Sequence, residues 1–343
     1  MTTQAPGDDE LTRDGFYMPA EWAPHERCWM MWPARLAMWD DLGKTQQAYA
    51  NVANAIADFE PVSMLVSPAH ESTAKKLLSE AVTLVVCDID DSWARDAGPN
   101  FLINAAGELA GSSWRFNAWG NKYTPFDADA KVGEFILESA GARVFRSELT
   151  GEGGGITVDG QGTIITTESC FLHTNRNPGW SRAEVEAELK RTLGGSKVIW
   201  LPGNPDEKET DGHVDGIAQF VKPGVVVMET SFDTRHPYYD NLQRNREVLE
   251  ASTDASGQAL DVILIEDGYG TEEIGCRYCL SYVNSYIANG AVILPSYGID
   301  ADERARQVYA RVYPEREIVQ LDISGIAVGG GGIHCITQQQ PAL

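Results

Sequence analysis

Apolar and polar positions alternate along four segments of the chain that share one layout. Each segment has a first apolar stretch, a turn that contains glycine, and a second apolar stretch, which is the pattern of a β-hairpin. The segments are NFLINAAGELAGSSW from Asn100, ITVDGQGTIITT from Ile156, IAQFVKPGVVVMET from Ile217 and NSYIANGAVILPS from Asn284. We therefore predict four hairpins that are related by an internal repeat.

The intervals between the hairpins leave room for a helix and one more strand in each repeat. The turn glycines, at positions 107, 160, 224 and 290, are separated by 53, 64 and 66 residues. Amphipathic helices are predicted over 181–193, which begins with a serine N-cap and ends at two glycines, and over 302–312. Apolar strands are predicted over 82–87, 197–201, 262–265 and 318–321. A doubly wound α/β sheet is the alternative, but hairpins fit poorly in an all-parallel sheet.

Unusual polar residues lie in the loop before each hairpin. They are Asp96 in DDSWARDAGP, Glu152 in TGEGGG, His213 and Asp215 in ETDGHVDG, and Asn284 in LSYVN. A fifth loop, VGGGGIHCITQQQ, carries Cys335 before the last strand. If the repeats are related by rotation about an axis, these loops meet at one end of it. The pattern then predicts one pocket that contains a thiol, an imidazole and several carboxylates.

Cys335 is a candidate nucleophile because of the residues around it. A lone cysteine is usually a small buried apolar residue. Here it follows four glycines, at 329–332, which allow a ligand to approach the backbone closely. A phosphate-binding loop would also use glycines, but no GK[ST] sequence or basic residue follows. The run therefore favours a positioned thiol.

His213 and Asp215 are two residues apart, so in an extended segment both side chains point the same way. Such a pair can serve proton transfer and cation binding, although His213 could instead be a core histidine. His334 adjoins Cys335, but in an extended segment it faces the opposite side. We therefore expect a structural role for His334.

Asp96 lies in WARDAGP, where it could either cap a turn with the neighbouring arginine or bind a cation. Trp93, three residues earlier, offers a flat face on which a planar guanidinium group could stack. Glu152 lies in a glycine-rich loop, where it could be a turn residue or a pocket residue.

Composition limits the classes of function. The chain has 343 residues, of which 43% are apolar and 9% aromatic, enough for one large domain or two ordinary ones. The formal charge of −23 argues against nucleic acid as a partner, because phosphates require a basic surface. It suits a small cationic substrate, or it serves only solubility. The sequence is compatible with a homo-oligomer.

The first residues, MTTQAPGDDELTRD, have neither a basic nor an apolar stretch, and no apolar run approaches ~18 residues. We expect a cytoplasmic protein without membrane association. Six dispersed cysteines are typical of reduced thiols rather than of a disulfide framework. Cys276 and Cys279 form a CxxC pair, which could mean redox chemistry or half a metal site, but no second pair accompanies it.

Several motifs together resemble one family. They are PAEWAPHERCWMMWP, WARDAGP, EGGGITVDGQGT, TDGHVDG, YVNSYIANG and GGGGIHCITQQQP, in this order between about Gly15 and Pro341. The chain resembles the agmatine deiminase branch of the guanidine-modifying enzymes, the pentein superfamily. The resemblance implies a five-bladed α/β propeller with fivefold pseudosymmetric ββαβ repeats. It also implies one catalytic domain over 15–343 after a flexible tail over 1–14.

The resemblance further implies hydrolysis of agmatine to N-carbamoylputrescine and ammonia, with no metal or organic cofactor. The implied roles are Cys335 as nucleophile, His213 as general acid and base, Asp96 and Asp215 as guanidinium ligands, Trp93 as stacking partner, Glu152 and Asn284 as pocket residues, and Glu209 near the distal amine. Because the carboxylates would raise the pKa of Cys335, the substrate's positive charge or His213 has to offset them. Attack by the thiolate then leaves a thiouronium on the cysteine.

Three features depart from the family pattern. Gly332 stands where the family more often has asparagine, Asp211 replaces the asparagine of TNGH, and the segment 202–209 differs. These changes concern the choice of substrate more than the chemistry. The alternatives are a deiminase of peptidyl-arginine or another guanidino compound, an amidinotransferase, and a non-enzymatic ribosome-binding factor. The presence of Cys335 and His213 disfavours the last.

Overall fold

The structure is a computed structural model that describes residues 11, 14–35, 38–268 and 279–343. Within these residues, sixteen strands form one four-stranded and four three-stranded sheets. Sheet one contains His25–Met31 (β1), Val62–Val66 (β2), Val82–Val86 (β3) and Thr337–Pro341 (β16). Sheet two contains Asn100–Ile103 (β4), Leu109–Arg115 (β5) and Arg143–Thr150 (β6). Sheet three contains Ile156–Val158 (β7), Thr163–Thr167 (β8) and Lys197–Leu201 (β9).

The other two sheets follow the same plan. Sheet four contains Ala218–Lys222 (β10), Val225–Thr230 (β11) and Asp261–Glu266 (β12), and sheet five contains Tyr286–Ala288 (β13), Ala291–Ser296 (β14) and Glu317–Asp322 (β15). In every three-stranded sheet, the first two strands are an antiparallel hairpin and the third runs parallel to the second. The predicted five-bladed ββαβ architecture is confirmed.

The turn glycines explain why the hairpins form where the alternation predicts them. Gly107, Gly160, Gly224 and Gly290 have φ angles of 75°, 70°, 70° and 84°. This left-handed conformation is one that glycine adopts without the steric cost of a Cβ atom. The four hairpin predictions are therefore confirmed together with their turns.

Helices connect the successive parallel strands of each sheet. The longer ones are Leu42–Ala57, Glu71–Leu77, Val132–Ser139, Arg182–Leu193, Tyr239–Glu250 and Asp300–Val312. Single helical turns occur at Ala94–Ala97, Ala118–Asn121, Glu168–Phe171 and Ser324–Ala327, and 3-10 turns at Asp129–Lys131, Gly153–Gly155 and Val214–Gly216. Ser181 and Glu184 form a capping box, and Gly194 ends that helix with a φ of 67°, as predicted.

The C-terminal strand closes the ring of sheets. β16 pairs antiparallel with β1, and Trp29 lies opposite Gln338. The indole Nε1 of Trp29 also donates a hydrogen bond of 2.9 Å to Gln340. The first strand of sheet one, β16, therefore comes from the end of the chain and pairs with β1, which lies near the start. The Cys335 loop, which precedes β16, is held in place by this pairing.

The predicted tail over 1–14 lies mostly outside the described residues. Leu11 is buried in an apolar cluster with Phe16, and Asp14 pairs with Arg143 at 2.9 Å. Cys276 also lies outside the described residues. The described cysteines, at 28, 87, 170, 279 and 335, are free thiols. Among the helices that the structure describes, none has the length and apolar character needed to cross a membrane.

Candidate active site

The predicted loops converge on one glycine. A Cβ atom placed on Gly154 would lie 2.6 Å from His213 Nδ1, 2.8 Å from Asp96 Oδ1 and 2.9 Å from Asp215 Oδ2. Three polar groups from two loops therefore surround a position in a third loop that only glycine can occupy. Sequence reasoning did not single out Gly154, although the run of three glycines after Glu152 was its signal.

Cys335 is held by Asn284 and faces Asp215. The amide Nδ2 of Asn284 donates to the sulphur at 3.1 Å, and its Oδ1 accepts the backbone N–H of Cys335 at 3.3 Å. The sulphur lies 3.5 Å from Asp215 Oδ2. A Cβ on Gly332 would lie 2.6 Å from Asn284 Oδ1, so the glycine at 332 leaves room for this amide. The structure thus brings Cys335, Asn284 and Asp215 into direct contact.

Two local conformations differ from the sequence-based expectation. The segment around Cys335 is a turn, in which Thr337 N–H donates to the His334 carbonyl at 3.1 Å, and is not extended. Likewise, Asp215 lies in the 3-10 turn Val214–Gly216. The prediction that these segments are extended is therefore wrong, and the side-chain directions do not result from the alternation of a strand. His213 and Asp215 still converge, because the tight turn brings both of them beside Gly154.

The two ring nitrogens of His213 have different surroundings. Nε2 lies 3.3 Å from Glu152 Oε2, while Nδ1 lies 3.8 Å from Asp96 Oδ1 and has no hydrogen-bond partner within the described part of the chain. Burial would lower the pKa of His213, but Asp96, followed by Cys170 and Glu152, raises it well above the ordinary value. The surrounding groups therefore favour the protonated form of the imidazole, and its Nδ1 faces the centre of the site.

Asp96 is an acid with a pKa that is raised to about 6, mainly because it is buried, while His213 opposes the shift. Its Oδ2 accepts the indole N–H of Trp119 at 2.8 Å, and its Oδ1 accepts the backbone N–H of Gly154 at 3.1 Å. Both donors are neutral. The protein therefore positions this carboxylate with two neutral donors, while Nδ1 of His213 lies 3.8 Å from its Oδ1.

Trp119 is a site residue that sequence reasoning missed. It lies in the turn Ala118–Asn121, where Ala118, Trp119 and Asn121 have φ angles of 52°, 56° and 62°. Three residues with side chains in the left-handed region are costly, and such strain concentrates at functional sites. No pattern in the sequence marks this turn.

Asp215 is ionised more readily than Asp96. Burial would raise the pKa of Asp215, but a hydrogen bond from His334 and the charges of His334 and His213 lower it below the ordinary value. The distance from His334 Nδ1 to Asp215 Oδ2 is 2.8 Å. His334 thus touches a site carboxylate from behind, which fits the structural role expected from sequence.

Glu152 lies behind His213 and is fully buried. Its carboxylate forms an ion pair of 2.7 Å with Arg176 Nε, and burial, which would raise its pKa, is outweighed by Arg176 and His213, which lower it. The residue predicted to line the pocket therefore contacts the ring of His213 instead of the cavity. Its side chain is placed to orient the imidazole.

Glu152, Cys170 and His213 also bring an oxygen, a sulphur and a nitrogen within 4.8 Å of one another. Because Arg176 already donates to both carboxylate oxygens, at 2.7 and 3.1 Å, a metal ion would compete with a guanidinium group there. This donor set fits an ion-paired support for His213 better than a metal site.

Asp211 belongs to the same support. It adopts a φ of 63° and accepts hydrogen bonds from Arg176 Nη1 at 2.9 Å and Asn175 Nδ2 at 3.0 Å, and it pairs with Lys122 at 2.8 Å. The aspartate that stands here in place of the family's asparagine therefore adds a negative charge next to Arg176, outside direct contact with Cys335.

The cavity at Cys335 has two lobes. The first, which we call the aromatic lobe, has a volume of about 290 Å³ and is lined by Met38, Trp93, Asp96, Trp119, Tyr123, Glu209, Thr210, Gly329, Gly330, Gly331 and Cys335. The second, the polar lobe, has a volume of about 900 Å³ and is lined by His213, Asp215, Asn284, Glu209 and Cys335, among other residues. Both lobes therefore reach the sulphur.

Trp93 and Glu209 lie on the walls of the aromatic lobe. A Cβ on Gly331 would be 2.3 Å from the Trp93 ring, so this glycine permits the ring to pack against the cysteine loop. The carboxylate of Glu209 accepts a hydrogen bond from the hydroxyl group of Tyr123. The walls of the lobe thus include aromatic rings and a carboxylate in addition to the sulphur.

Cys335 is a thiol in this state of the site. Burial raises its pKa well above the ordinary value, and Asp215 and then Asp96 raise it further. The sequence-based expectation that the carboxylates oppose thiolate formation is confirmed.

Comparisons with known proteins agree with this geometry. The family described as Porphyromonas-type peptidyl-arginine deiminase matches residues 17–341. Agmatine deiminases of Ectopseudomonas mendocina and Stutzerimonas stutzeri are 43% and 41% identical to the chain, each with 96% of both chains covered. The structure of the agmatine deiminase of Enterococcus faecalis superposes with a TM-score of 0.93 at 37% identity, covering 98% of both chains. The chain therefore belongs to the Porphyromonas-type peptidyl-arginine deiminase family, whose fold is that of the pentein guanidine-modifying hydrolases.

Proposed function

We propose that the protein hydrolyses agmatine to N-carbamoylputrescine and ammonia through a covalent thiouronium on Cys335. The observation that carries the proposal is the placement of two carboxylates and an imidazole around Gly154, with the Cys335 sulphur 3.5 Å from one of these carboxylates, Asp215. The names of the relatives from Ectopseudomonas mendocina and Enterococcus faecalis support agmatine as the substrate.

The guanidinium group binds between Asp96 and Asp215, whose oxygens match its N–H donors. Two unit charges at ~4 Å attract each other by roughly 4 kcal/mol at an effective dielectric of about 20, before desolvation is counted. Trp93 offers its face to the planar cation. Because the ureido product is neutral, this attraction is lost after reaction and the product is released.

The walls of the aromatic lobe support a small free guanidine as the substrate. They combine aromatic side chains with the carboxylate of Glu209, which suit an alkyl chain that ends in an ammonium group. The alkyl chain lies along Trp93 and Trp119, and the distal ammonium approaches Glu209. A peptide backbone would have to occupy the place of this ammonium.

Binding of the cation triggers the first chemical step. Its charge offsets the carboxylates that hold the pKa of Cys335 high, the thiol gives its proton to solvent water, and the thiolate bonds to the central carbon of the guanidinium. The imidazolium of His213 then gives a proton to the departing nitrogen, the C–N bond breaks, and ammonia leaves. The product of this step is an S-alkylthiouronium on Cys335, with His213 neutral.

The second step consumes water. Neutral His213 accepts a proton from the water, whose oxygen bonds to the thiouronium carbon. The C–S bond then breaks, the hydroxyl proton of the adduct passes to the sulphur, and N-carbamoylputrescine leaves while His213 is again protonated. Since Glu152 occupies the Nε2 side of the ring and Nδ1 faces the centre, we assign the moving proton to Nδ1.

We also propose that residues 15–343 act as one catalytic domain in a reducing, cytoplasmic environment. Site residues precede the first strand of each sheet, so the site needs all five sheets together. The free thiol of Cys335, which the mechanism requires, is compatible with such an environment.

The proposal is tested by measuring ammonia release from agmatine, arginine, guanidinobutyrate and an arginine-containing peptide. We expect agmatine to have the highest kcat/KM. Guanidinobutyrate is expected to be poor, because its carboxylate would face that of Glu209. Absence of ammonia from agmatine, with turnover of the peptide instead, would overturn the proposed substrate.

A further inference from the structure

We propose that Glu21 and His334 form a fixed-charge support that positions Asp215 for guanidinium binding. In this proposal, which rests on the proposed function, His334 is a positioning residue that acts through Asp215. It keeps its proton throughout the reaction, in contrast to His213.

The geometry of the support begins with the ring of His334. Nδ1 lies 2.8 Å from Asp215 Oδ2, and Nε2 lies 2.9 Å from Glu21 Oε1. All three side chains are buried. Ionised carboxylates only accept hydrogen bonds, so a ring between two of them has to donate from both nitrogens. Only the imidazolium form can do so.

Glu21 is itself held in place. Gln219 Nε2 donates to its Oε2 at 3.1 Å, and Arg95 Nη1 lies 3.7 Å from its Oε1. Arg95 is fixed in turn, because its Nη2 donates to Gln339 Oε1 at 2.7 Å. The carboxylate that anchors His334 is therefore connected to the terminal strand of the ring.

Charges of opposite sign face one another along the support. Asp215 and Glu21 are the anions, and His334 and Arg95 are the cations. The four buried groups are therefore neutral as a set. Removing the imidazolium would leave two carboxylates with one arginine. Asp215 would lose the cation nearest to it, although His213 and Arg95 also lower its pKa.

The oxygen that His334 holds is also the oxygen that faces the reaction. Asp215 Oδ2 lies 3.5 Å from the Cys335 sulphur and would lie 2.9 Å from a Cβ on Gly154. Fixing this atom from behind therefore fixes the place of one guanidinium N–H. The same imidazolium keeps Asp215 charged before the substrate arrives.

Two substitutions of His334 separate this role from simple packing. In His334→Asn the amide nitrogen lies near the position of Nδ1 and retains a donor to Asp215. In His334→Gln the longer side chain reaches towards Glu21 and leaves Asp215 without its donor. Loss of a hydrogen bond to a charged group is worth about 10- to 100-fold, so we expect KM for agmatine to rise by that factor in His334→Gln. His334→Asn should show a smaller rise, with kcat changed less than KM in both.

Glu21→Gln tests the charge rather than the shape. It should lower the pKa of His334, so that His334 loses its proton at a lower pH. On the alkaline side of the profile, 1/KM should therefore begin to fall at a lower pH than in the unmodified enzyme. Glu60→Gln is the matched control, because Glu60 is a buried glutamate that pairs with His25 at 3.0 Å. It should leave KM and its pH profile unchanged.

A readout that does not depend on turnover separates this proposal from the proposed function. The NMR titration of ¹³C-labelled histidine, assigned with His334→Asn, should show a His334 imidazolium above pH 7 in the ligand-free enzyme. A neutral His334 at pH 7, or an unchanged KM in His334→Gln, would overturn the support. If the unmodified enzyme released no ammonia from agmatine while His334 titrated as expected, the proposed function alone would fail.

Discussion

Two buried imidazoles in this molecule each lie between two carboxylates, but at different distances. His334 is 2.8 Å from Asp215 and 2.9 Å from Glu21, whereas His213 is 3.3 Å from Glu152 and 3.8 Å from Asp96. Both nitrogens of His334 are therefore committed to hydrogen bonds. Nδ1 of His213 remains available to a substrate or a water molecule. In the proposed mechanism, hydrogen-bond geometry thus separates a fixed charge, His334, from a proton donor, His213, although the residue type is the same.

The carboxylates that face the two rings, Asp96 and Asp215, differ in their hydrogen-bond donors and in their pKa values. Asp96 is bound by the neutral donors of Trp119 and Gly154, and its burial raises its pKa to about 6. Asp215 receives its hydrogen bond from His334, which lowers its pKa. The guanidinium site therefore combines one carboxylate that titrates near neutrality with one that stays ionised.

The largest expected effect comes from His213→Gln. General acid and base catalysis contributes about 10²–10⁴-fold, and this variant removes both functions. We expect kcat for agmatine to fall by roughly 1,000-fold with KM changed little, in contrast to the KM effect of His334→Gln. Steady-state kinetics at pH 7.5 measures both. Equal losses of kcat in the two variants would contradict the division of roles between the rings.

Asp96→Asn and Asp215→Asn are expected to lower kcat/KM by roughly 100- to 1,000-fold, because each removes one unit charge from the proposed guanidinium site.

The effects of these two substitutions on stability should be opposite. The raised pKa of Asp96 means that its ionisation costs free energy in the folded state at pH 7, so Asp96→Asn should stabilise the fold by on the order of 1 kcal/mol.

Asp215→Asn should lower the free energy of unfolding instead. The lowered pKa of Asp215 means that its contribution is present above the unfolded pKa and is lost as the pH falls. Urea unfolding at pH 7 measures both variants. Destabilisation of equal size in the two would show that the carboxylates do not differ.

Glu152→Gln is expected to reduce kcat by about 10- to 100-fold, because the amide keeps a partner for His213 but removes the charge that helps to raise its pKa. The alkaline limb of the pH profile should move to lower pH, since His213 then loses its proton earlier. Glu168→Gln is a surface control, since Glu168 is exposed and pairs with Arg182. An unchanged alkaline limb in Glu152→Gln would count against the orienting role of Glu152.

The smallest effect is the pH dependence of the unmodified enzyme. We expect kcat/KM, which reports the free enzyme, to fall tenfold per pH unit below about pH 6, as Asp96 becomes protonated. Asp215 should remain ionised over this range. A limb that falls a hundredfold per unit would mean that the two carboxylates titrate together.

The sequence predicts the repeat well because its signals are local. Alternation and a turn glycine suffice for each hairpin, and the loops before the hairpins contain Asp96, His213, Asp215, Asn284 and Cys335. Motifs also led to Trp93 and Glu209, which line the aromatic lobe as expected.

The remaining site residues depend on contacts that no local pattern carries. His334 meets Glu21 across 313 positions, which requires the terminal strand to close the ring. Trp119 reaches Asp96 from a left-handed turn that propensity would not predict. Glu152 was correctly placed at the site, but its direction, towards Arg176 and away from the cavity, follows from a pairing with a residue 24 positions later.

The central claim is that Cys335 becomes covalently bound to the substrate. Rapid acid quenching of the enzyme with excess agmatine, followed by digestion and mass spectrometry, tests it directly. We predict a transient adduct on the peptide that contains Cys335, with the mass of agmatine minus ammonia, and no adduct or turnover in Cys335→Ala. Full turnover by Cys335→Ala, without any adduct on the unmodified enzyme, would contradict the account.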